Sequence, residues 1–336
     1  MRVLKGLVVL AIVAALVVGF LLLMPYGPSA EQFVEISPGM GTAGIARELH
    51  RAGIVRSAEA FEGLAIWKGV SGGGRGAGTL KAGEYRFDHP ATMEEVYARL
   101  RKGDVYTLTV VVPEGFNIFD IAGAIAAAGL DSRADFLQAE EQNTALIAPW
   151  TDERGVKATS LEGYLFPDTY KFSRHSTAAE MLAVMVRRFG QEVTRLGIRR
   201  GEVERTVTMA SLVEKEVHID AERPEVASVF VNRLAAGMPL QTDPAVSYAS
   251  MLRGTWTGVI HESELKSDSA YNTYAHTGLP PGPICNPGVA ALRAALHPAK
   301  TDYLYFVANA AGATRFAATL EEHNANVAAY RAAARP

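Results

Sequence analysis

Apolar residues form one long run at the start of the chain and then fall into short periods. Gly6–Met24 carries no charge, and about twenty such residues are what a helix needs to cross a bilayer core. Arg2 and Lys5 precede it, so the positive flank is expected in the cytoplasm and the rest of the chain outside. A cleaved signal peptide would have a shorter apolar core, and Gly27-Pro28-Ser29-Ala30 is a poor cleavage site. A cytoplasmic tail over 1–5 and an uncleaved transmembrane anchor over 6–25 are therefore expected. No cysteine follows the apolar run, which speaks against a lipoprotein.

Past the anchor, strand and helix periods alternate. Phe33-Val34-Glu35-Ile36 alternates as a strand does, and Ser37-Pro38-Gly39 is a turn. Ile45, Ala46 and Leu49 follow helical spacing, closed by Gly53. Ser71–Gly78 is glycine-rich and expected to be a flexible loop; Gly83–Phe87 reads as a second strand and Met93–Leu100 as a helix. The opening of this unit recurs. Pro38-Gly39 is echoed by Pro113-Glu114-Gly115. Ile45-Ala46, Leu49, Ala52-Gly53-Ile54, Ser57 and Phe61 are echoed by Ile121-Ala122, Ile125, Ala128-Gly129-Leu130, Ser132 and Phe136. A strand precedes each copy, the second at Tyr106–Val112. Two related α/β modules, 31–104 and 105–158, are expected, suited to ligand binding or spacing or serving as a scaffold for the next domain. From about 159 to 336 the periods are mostly helical, with turn-rich connectors at Met238–Pro244 and Thr277–Gly288 and a short apolar run, Leu304–Ala308, that reads as a buried strand. The expected class is α+β.

Composition narrows the chemistry. The net charge is −3 and no basic stretch is long, which argues against nucleic acid as a partner. The single cysteine, Cys285, forbids an intramolecular disulfide, so an exported domain must rest on its core; in its Ile-Cys-Asn-Pro turn it reads as an apolar filler. No phosphate-cradling loop, His-Glu-x-x-His or paired-Cys spacing occurs, and no metal or cofactor is expected.

The densest chemical signal is Thr208–Glu216, where two carboxylates and a lysine sit on an otherwise apolar helix. At about 100° per residue, Val207, Met209, Ala210, Leu212, Val213 and Val217 share one broad face. Glu216 stands on its edge, Glu214 falls farther off, and Lys215 points away. A carboxyl held against apolar surface has its pKa raised and can serve as a general acid near neutral pH. The plainer alternative is a solvated Glu-Lys-Glu run.

Several strings in one order extend the signal: Val207–Glu216, Ala227–Leu234, Leu161–Tyr170, Leu240-Gln241-Thr242-Asp243-Pro244, Tyr271-Asn272-Thr273-Tyr274, Gly278–Ile284 and His297-Pro298-Ala299-Lys300. Over nearly its whole length the chain resembles the YceG-like family, which includes endolytic murein transglycosylases. The resemblance implies an inner-membrane enzyme with a LysM-like portion and a helix-rich catalytic domain over 159–336. It would sit single-pass in the membrane, its catalytic domain periplasmic, and cut nascent peptidoglycan glycan strands, with cell-wall synthases as partners. The family's catalytic acid/base matches Glu216. The hydroxyl residue usual after that Glu is here Val217. Expected substrate-binding residues are Glu162, Tyr164, Phe166, Asp168, Gln241, Thr242, Asp243, Asn272 and Tyr274. Tyr164, Phe166 and Tyr170 could equally be core, and Asp168, after a Pro, suits turn capping. Glu214 is expected to act behind Glu216, paired with Arg223 or Arg233. His297 reads as structural. A lysozyme-type hydrolase using Asp168 or Asp243 as second carboxylate, and a non-catalytic peptidoglycan-binding scaffold, are the alternatives.

Overall fold

The computed structural model describes residues 2–71, 79–151, 158–217, 219–308 and 313–333. The stretch expected as a glycine-rich loop lies, from residue 72 on, outside the described residues. The chain folds into two compact units, Met1–Leu108 and Thr109–Pro336. Helices dominate, with three two-stranded sheets among the described residues.

The first unit begins with helix α1, Arg2–Leu23. Within its segment Val3–Leu23 an 18-residue stretch has a mean hydropathy of 3.1 and no buried residue, and the helix is long and apolar enough to cross a membrane. Strand β1, Gln32–Ile36, helices α2, Thr42–Arg51, and α3, Ala58–Ser71, strand β2, Gly83–Phe87, and helix α4, Met93–Lys102, follow. β1 and β2 pair antiparallel, with Val34 opposite Tyr85. Their inward side chains and those of the helices, including Ile36, Leu49, Phe61, Tyr85, Phe87 and Leu100, make one core.

The second unit opens with the same run of elements. Strand β3, Leu108–Val112, leads to α5, Ile118–Ala127, and α6, Arg133–Gln142. A one-turn helix α7, Ala148–Thr151, precedes strand β4, Asp168–Phe172, which pairs with β3; α8, Ala178–Leu196, follows. The pairing carries the second copy past residue 158. Gly39 and Gly115 both take φ +80° in the first turn, a backbone region that side chains disfavour. Ile54 N–H bonds back to Leu49 O and Leu130 N–H to Ile125 O, the same helix-end closure. Tyr85 and Phe87 on β2 correspond to Tyr170 and Phe172 on β4, all buried. Thr92 with Glu95 and Thr177 with Glu180 form matching capping boxes at α4 and α8.

Here the two copies diverge. Val110, Ile121, Ile125 and Phe136 join a core that runs on through α8 and the helices after it. These are α9, Val203–Glu216, α10, Arg223–Ala235, α11, Asp243–Leu252, and α13, Val289–Leu296; the short α12, Glu262–Leu265, comes between α11 and α13 in the chain. Strands β5, Tyr305–Ala308, and β6, Thr314–Ala317, form an antiparallel hairpin with Phe306 opposite Phe316, and α14, Leu320–Ala333, ends the unit. The run expected as a buried strand is β5, but Tyr305, Phe306 and Val307 are half-buried, because a two-stranded ribbon has little sheet to bury it.

Candidate active site

Helix α9 passes through the middle of the second unit, packed by α10, α11 and α13. Val203 and every residue from Thr206 to Glu214 are buried, so the apolar face read from the sequence is part of an almost completely enclosed helix. Ser211 anchors it: its hydroxyl donates to Thr208 O at 2.8 Å and accepts from Ile284 N at 3.1 Å. The fully buried Cys285 lies in the same turn, its thiol 3.4 Å from Ser211 O.

The two glutamates of α9 have different surroundings. Glu214 is buried; Oε1 pairs with Arg223 Nη2 at 2.9 Å, and Oε2 accepts from the Gly288 N–H at 2.9 Å. Gly288 caps α13, where a negative group is favoured by the helix dipole. A Cβ at Gly288 would stand only 1.8 Å from Glu114 Oε1, so a side chain there would displace the Glu114 carboxyl. Of the two arginines expected to pair with Glu214, Arg223 is the one that does.

Glu216 is the last residue of α9 and half-buried. Val217 leaves the helix in an extended conformation (φ −134°, ψ 140°) rather than continuing its apolar face. Among the described residues no main-chain N–H donates to the Glu216 carboxyl. Burial, and next the charge of Asp243, push its pKa up to about 7; the Thr242 hydroxyl and the Arg233 charge act the other way. The negative end of α9 also disfavours ionisation there.

The groups facing Glu216 come from two straps. The first, 239–243, is held by Arg233 of α10. This nearly buried guanidinium donates to Leu304 O (2.7 Å), Leu240 O (2.9 Å), Pro239 O (3.2 Å) and Gln241 Oε1 (3.3 Å). Gln241 has φ 53°, the one non-glycine residue in that region among those described, the kind of strain that collects at functional sites. The second strap, 271–277, bonds to the first through Gln241 N to Thr273 O (3.0 Å) and Thr242 N to Thr273 Oγ1 (2.9 Å). The Tyr274 hydroxyl donates to Asp243 Oδ1 at 2.6 Å; burial and this bond raise the phenol's pKa. Asn272 is fully buried; its amide donates to Ser267 O (2.6 Å) and Leu265 O (3.0 Å), and its Oδ1 accepts from Tyr274 N. It shapes the strap and aims Tyr274 without facing Glu216 itself.

Thus Glu216, Gln241, Thr242, Asp243 and Tyr274 come together, while the residues expected from 162–170 are engaged elsewhere. The Glu162 carboxylate accepts from Ile118 N (3.0 Å) and Asn286 Nδ2 (2.9 Å) and meets Tyr248; burial lifts its pKa to about 8. Its acceptors are spent on closing α5 and the 284–286 turn. Tyr164 is 2% exposed between Trp150 and Phe189. Phe166 is buried beneath the Arg188 guanidinium, and Tyr170 is buried with its hydroxyl on Phe166 O. The structure places these three rings in the core. Asp168 pairs with Arg188 at 2.7 Å on β4, neither capping a turn nor reaching Glu216. Glu162 and Tyr164 line a separate cavity of about 350 Å³ with Tyr271 and Pro283. His297 is the exposed C-cap of α13.

Two further residues matter that sequence reading did not single out. Asn286 is fully buried and joins two segments to its own turn: its amide bonds Phe116 O and Glu162, its Oδ1 accepts from Leu165 N, and its main chain pairs with Gly115 and Phe116. Thr273 links the two straps. Asn286 lies in a visible turn, but nothing local distinguishes a hub from an ordinary turn asparagine.

The model of the YceG-like family matches residues 34–329. A Bacillus subtilis protein named endolytic murein transglycosylase is 36% identical over 307 residues, 87% of this chain and 82% of that protein. A Streptococcus pneumoniae protein of the same name is 29% identical over 91% of this chain, which spans 60% of its length. A crystal structure of a yceG-like protein from Listeria monocytogenes aligns with a TM-score of 0.57 at 33% identity, covering 89% of this chain and 99% of that one. With nearly its whole length matched, and Glu216 lying in one of the strings on which the resemblance rests, this chain belongs to the YceG-like family.

Proposed function

We propose that the protein is a membrane-anchored endolytic lytic transglycosylase of peptidoglycan, with Glu216 as its single acid and base. The observation that carries this reading is the Glu216 carboxyl: half-buried, free of main-chain donors among the described residues, and with a pKa pushed up to about 7. A group poised there is available in both protonation states near neutral pH. The names of the relatives, endolytic murein transglycosylase, support the substrate and the reaction class.

Protonated Glu216 donates to the glycosidic oxygen between N-acetylmuramic acid and N-acetylglucosamine, and the bond from C1 to that oxygen breaks. The ionised carboxylate then takes the proton of the muramic acid C6 hydroxyl. That oxygen bonds to C1 and closes a 1,6-anhydro ring, with no water consumed. The nucleophile belongs to the substrate, so its effective concentration is high. Asp243, fixed by Tyr274, opposes premature ionisation of Glu216 and offers negative charge to an oxocarbenium-like transition state. Gln241 and Thr242 suit N-acetyl groups.

Helix α1 fits a single-pass anchor in the inner membrane, with Arg2 and Lys5 cytoplasmic and the chain after α1 outside. The strand–helix–helix–strand module of the first unit suits a LysM-like role in holding glycan, and cell-wall synthases in the same membrane are the natural partners.

Digestion of nascent and mature peptidoglycan by the detergent-solubilised protein, followed by mass spectrometry of the new ends, tests the reading. Anhydro-muramic ends are expected, and Glu216→Gln should slow their release roughly 10²–10⁴-fold. Reducing ends would instead favour a lysozyme-type hydrolase, a reading for which Asp243 beside Glu216 supplies the second carboxylate. No cleavage of either glycan would leave a binding scaffold.

A further inference from the structure

The second half of α3 is apolar on both faces. Phe61, Leu64 and Ala65 are buried in the first unit's core, whereas Ile66, Trp67 and Val70 are 55%, 62% and 80% exposed. Gly63, Ile66, Trp67 and Val70 stand at i, i+3, i+4 and i+7 and form one outward stripe. Lys68 is the one charge between Gly63 and Val70. Scattered exposed apolar residues are ordinary, but three large ones on two turns of one helix mark a surface that something covers.

The packing of α1 shows what lies beside it. Arg56, just ahead of α3, sets its guanidinium over the rings of Phe20 (4.8 Å) and Tyr26 (4.6 Å) and donates to Pro25 O at 3.2 Å. At the other end of α3, Lys68 Nζ pairs with Glu94 Oε1 at 2.5 Å. Glu94 is three residues past Ala91, which exchanges main-chain bonds of 2.9 and 3.0 Å with Tyr26. Leu22 packs on the unit's core, and α1 touches both α3 and α4. Both ends of α3 are therefore tied to the residues where α1 leaves its apolar run.

We propose that α3 beds its Ile66–Trp67–Val70 stripe in the headgroup–acyl boundary of the bilayer that α1 crosses. This rests on the reading of α1 as a membrane anchor. Tryptophan prefers this boundary, and aliphatic neighbours favour shallow insertion of a helix lying in the membrane plane. A single helix would leave the unit free to tilt; a second contact from α3 fixes its orientation to the membrane.

The test uses the full chain in liposomes of phosphatidylethanolamine and phosphatidylglycerol whose acyl chains carry a nitroxide near the headgroup. A fluorophore is attached to Trp67→Cys, to Val13→Cys within α1, or to Arg47→Cys on the exposed face of α2; Cys285, fully buried, stays unlabelled. The Val13 and Trp67 probes are expected to be quenched several-fold more than the Arg47 probe. A quenched Val13 probe with a Trp67 probe no more quenched than Arg47 overturns the proposal and leaves the anchor standing. An unquenched Val13 probe removes the anchor and the proposal with it. A Trp67 probe shielded from aqueous iodide yet beyond reach of the lipid nitroxide means that a protein covers the stripe, which also overturns the proposal.

Discussion

Residues 32–102 and 108–196 follow one local plan: strand, turn, two helices, a returning strand and a helix begun by a threonine–glutamate capping box. The first copy closes around its own core. The second leaves that core open to the helices that carry Glu216 and the straps facing it. Their carboxylates differ accordingly. The shifted ones of the first unit, Glu59, Asp88 and Glu95, are exposed and lowered by hydrogen bonds, chiefly to main-chain N–H at Glu59 and Glu95 and to His89 at Asp88. The second unit has lowered carboxylates too, Asp168, Glu192, Glu202 and Glu264, but among the described residues it alone also holds raised ones: Glu114, Glu140, Glu162 and Glu216, first of all by burial. The same local rules thus build two modules, and what packs on each decides whether its surroundings can tune an acid.

The matched phenylalanines test this contrast most severely. Phe61 and Phe136 are both fully buried, and truncation to alanine should cost about 3–5 kcal/mol at each. In calorimetry of the full chain, Phe61→Ala should lower only the melting of the first unit and spare cleavage. Phe136→Ala should lower that of the second and reduce cleavage with it. A single transition moved by both variants would break the comparison.

The pH dependence of stability is the next largest effect. Glu162 keeps its proton in the folded state up to about pH 8, while the unfolded chain releases it near 4.5. The folded state binds more protons between these values, so this contribution to stability falls as pH rises through that window. Urea midpoints of the second unit should show the fall, and Glu162→Gln should flatten it at the cost of a cap bond of about 1 kcal/mol. The lowered carboxylates of the first unit are ionised in both states across the same range and leave its stability level.

Cleavage should require protonated Glu216 and decline as pH rises past about 7. Asp243→Asn removes a negative neighbour, so the alkaline limb of the pH–rate profile should move to lower pH. Asp88→Asn, in the first unit, should leave that limb in place. The smallest effects belong to the caps: Thr92→Ala and Thr177→Ala should each cost about 1 kcal/mol, each read in the melting of its own unit.

Much of this was legible along the chain. The echo of Phe61 at Phe136 and of Gly53 at Gly129 marks the repeat, since helix ends and turns are set by residues only a few positions apart. The closing half of the repeat, Tyr85 and Phe87 against Tyr170 and Phe172, escaped notice because the intervening lengths differ. The burial of Tyr164 and Phe166 was not legible either, because an aromatic in a core and one lining a groove have the same local pattern.

The sequence alone determined the apolar run of α1, the paired modules, the strings that carry the family resemblance and Glu216 as the candidate acid. Only the tertiary structure showed what surrounds the three glutamates. Glu162 is consumed by Ile118 and Asn286, Glu214 by Arg223 and Gly288, and Glu216 is left facing Thr242 and Asp243. Gly288 lies 74 residues from Glu214 and Asn286 lies 124 from Glu162 along the chain. A carboxyl's acidity depends on the charges, donors and water around it, and no local period encodes which distant segment will supply them.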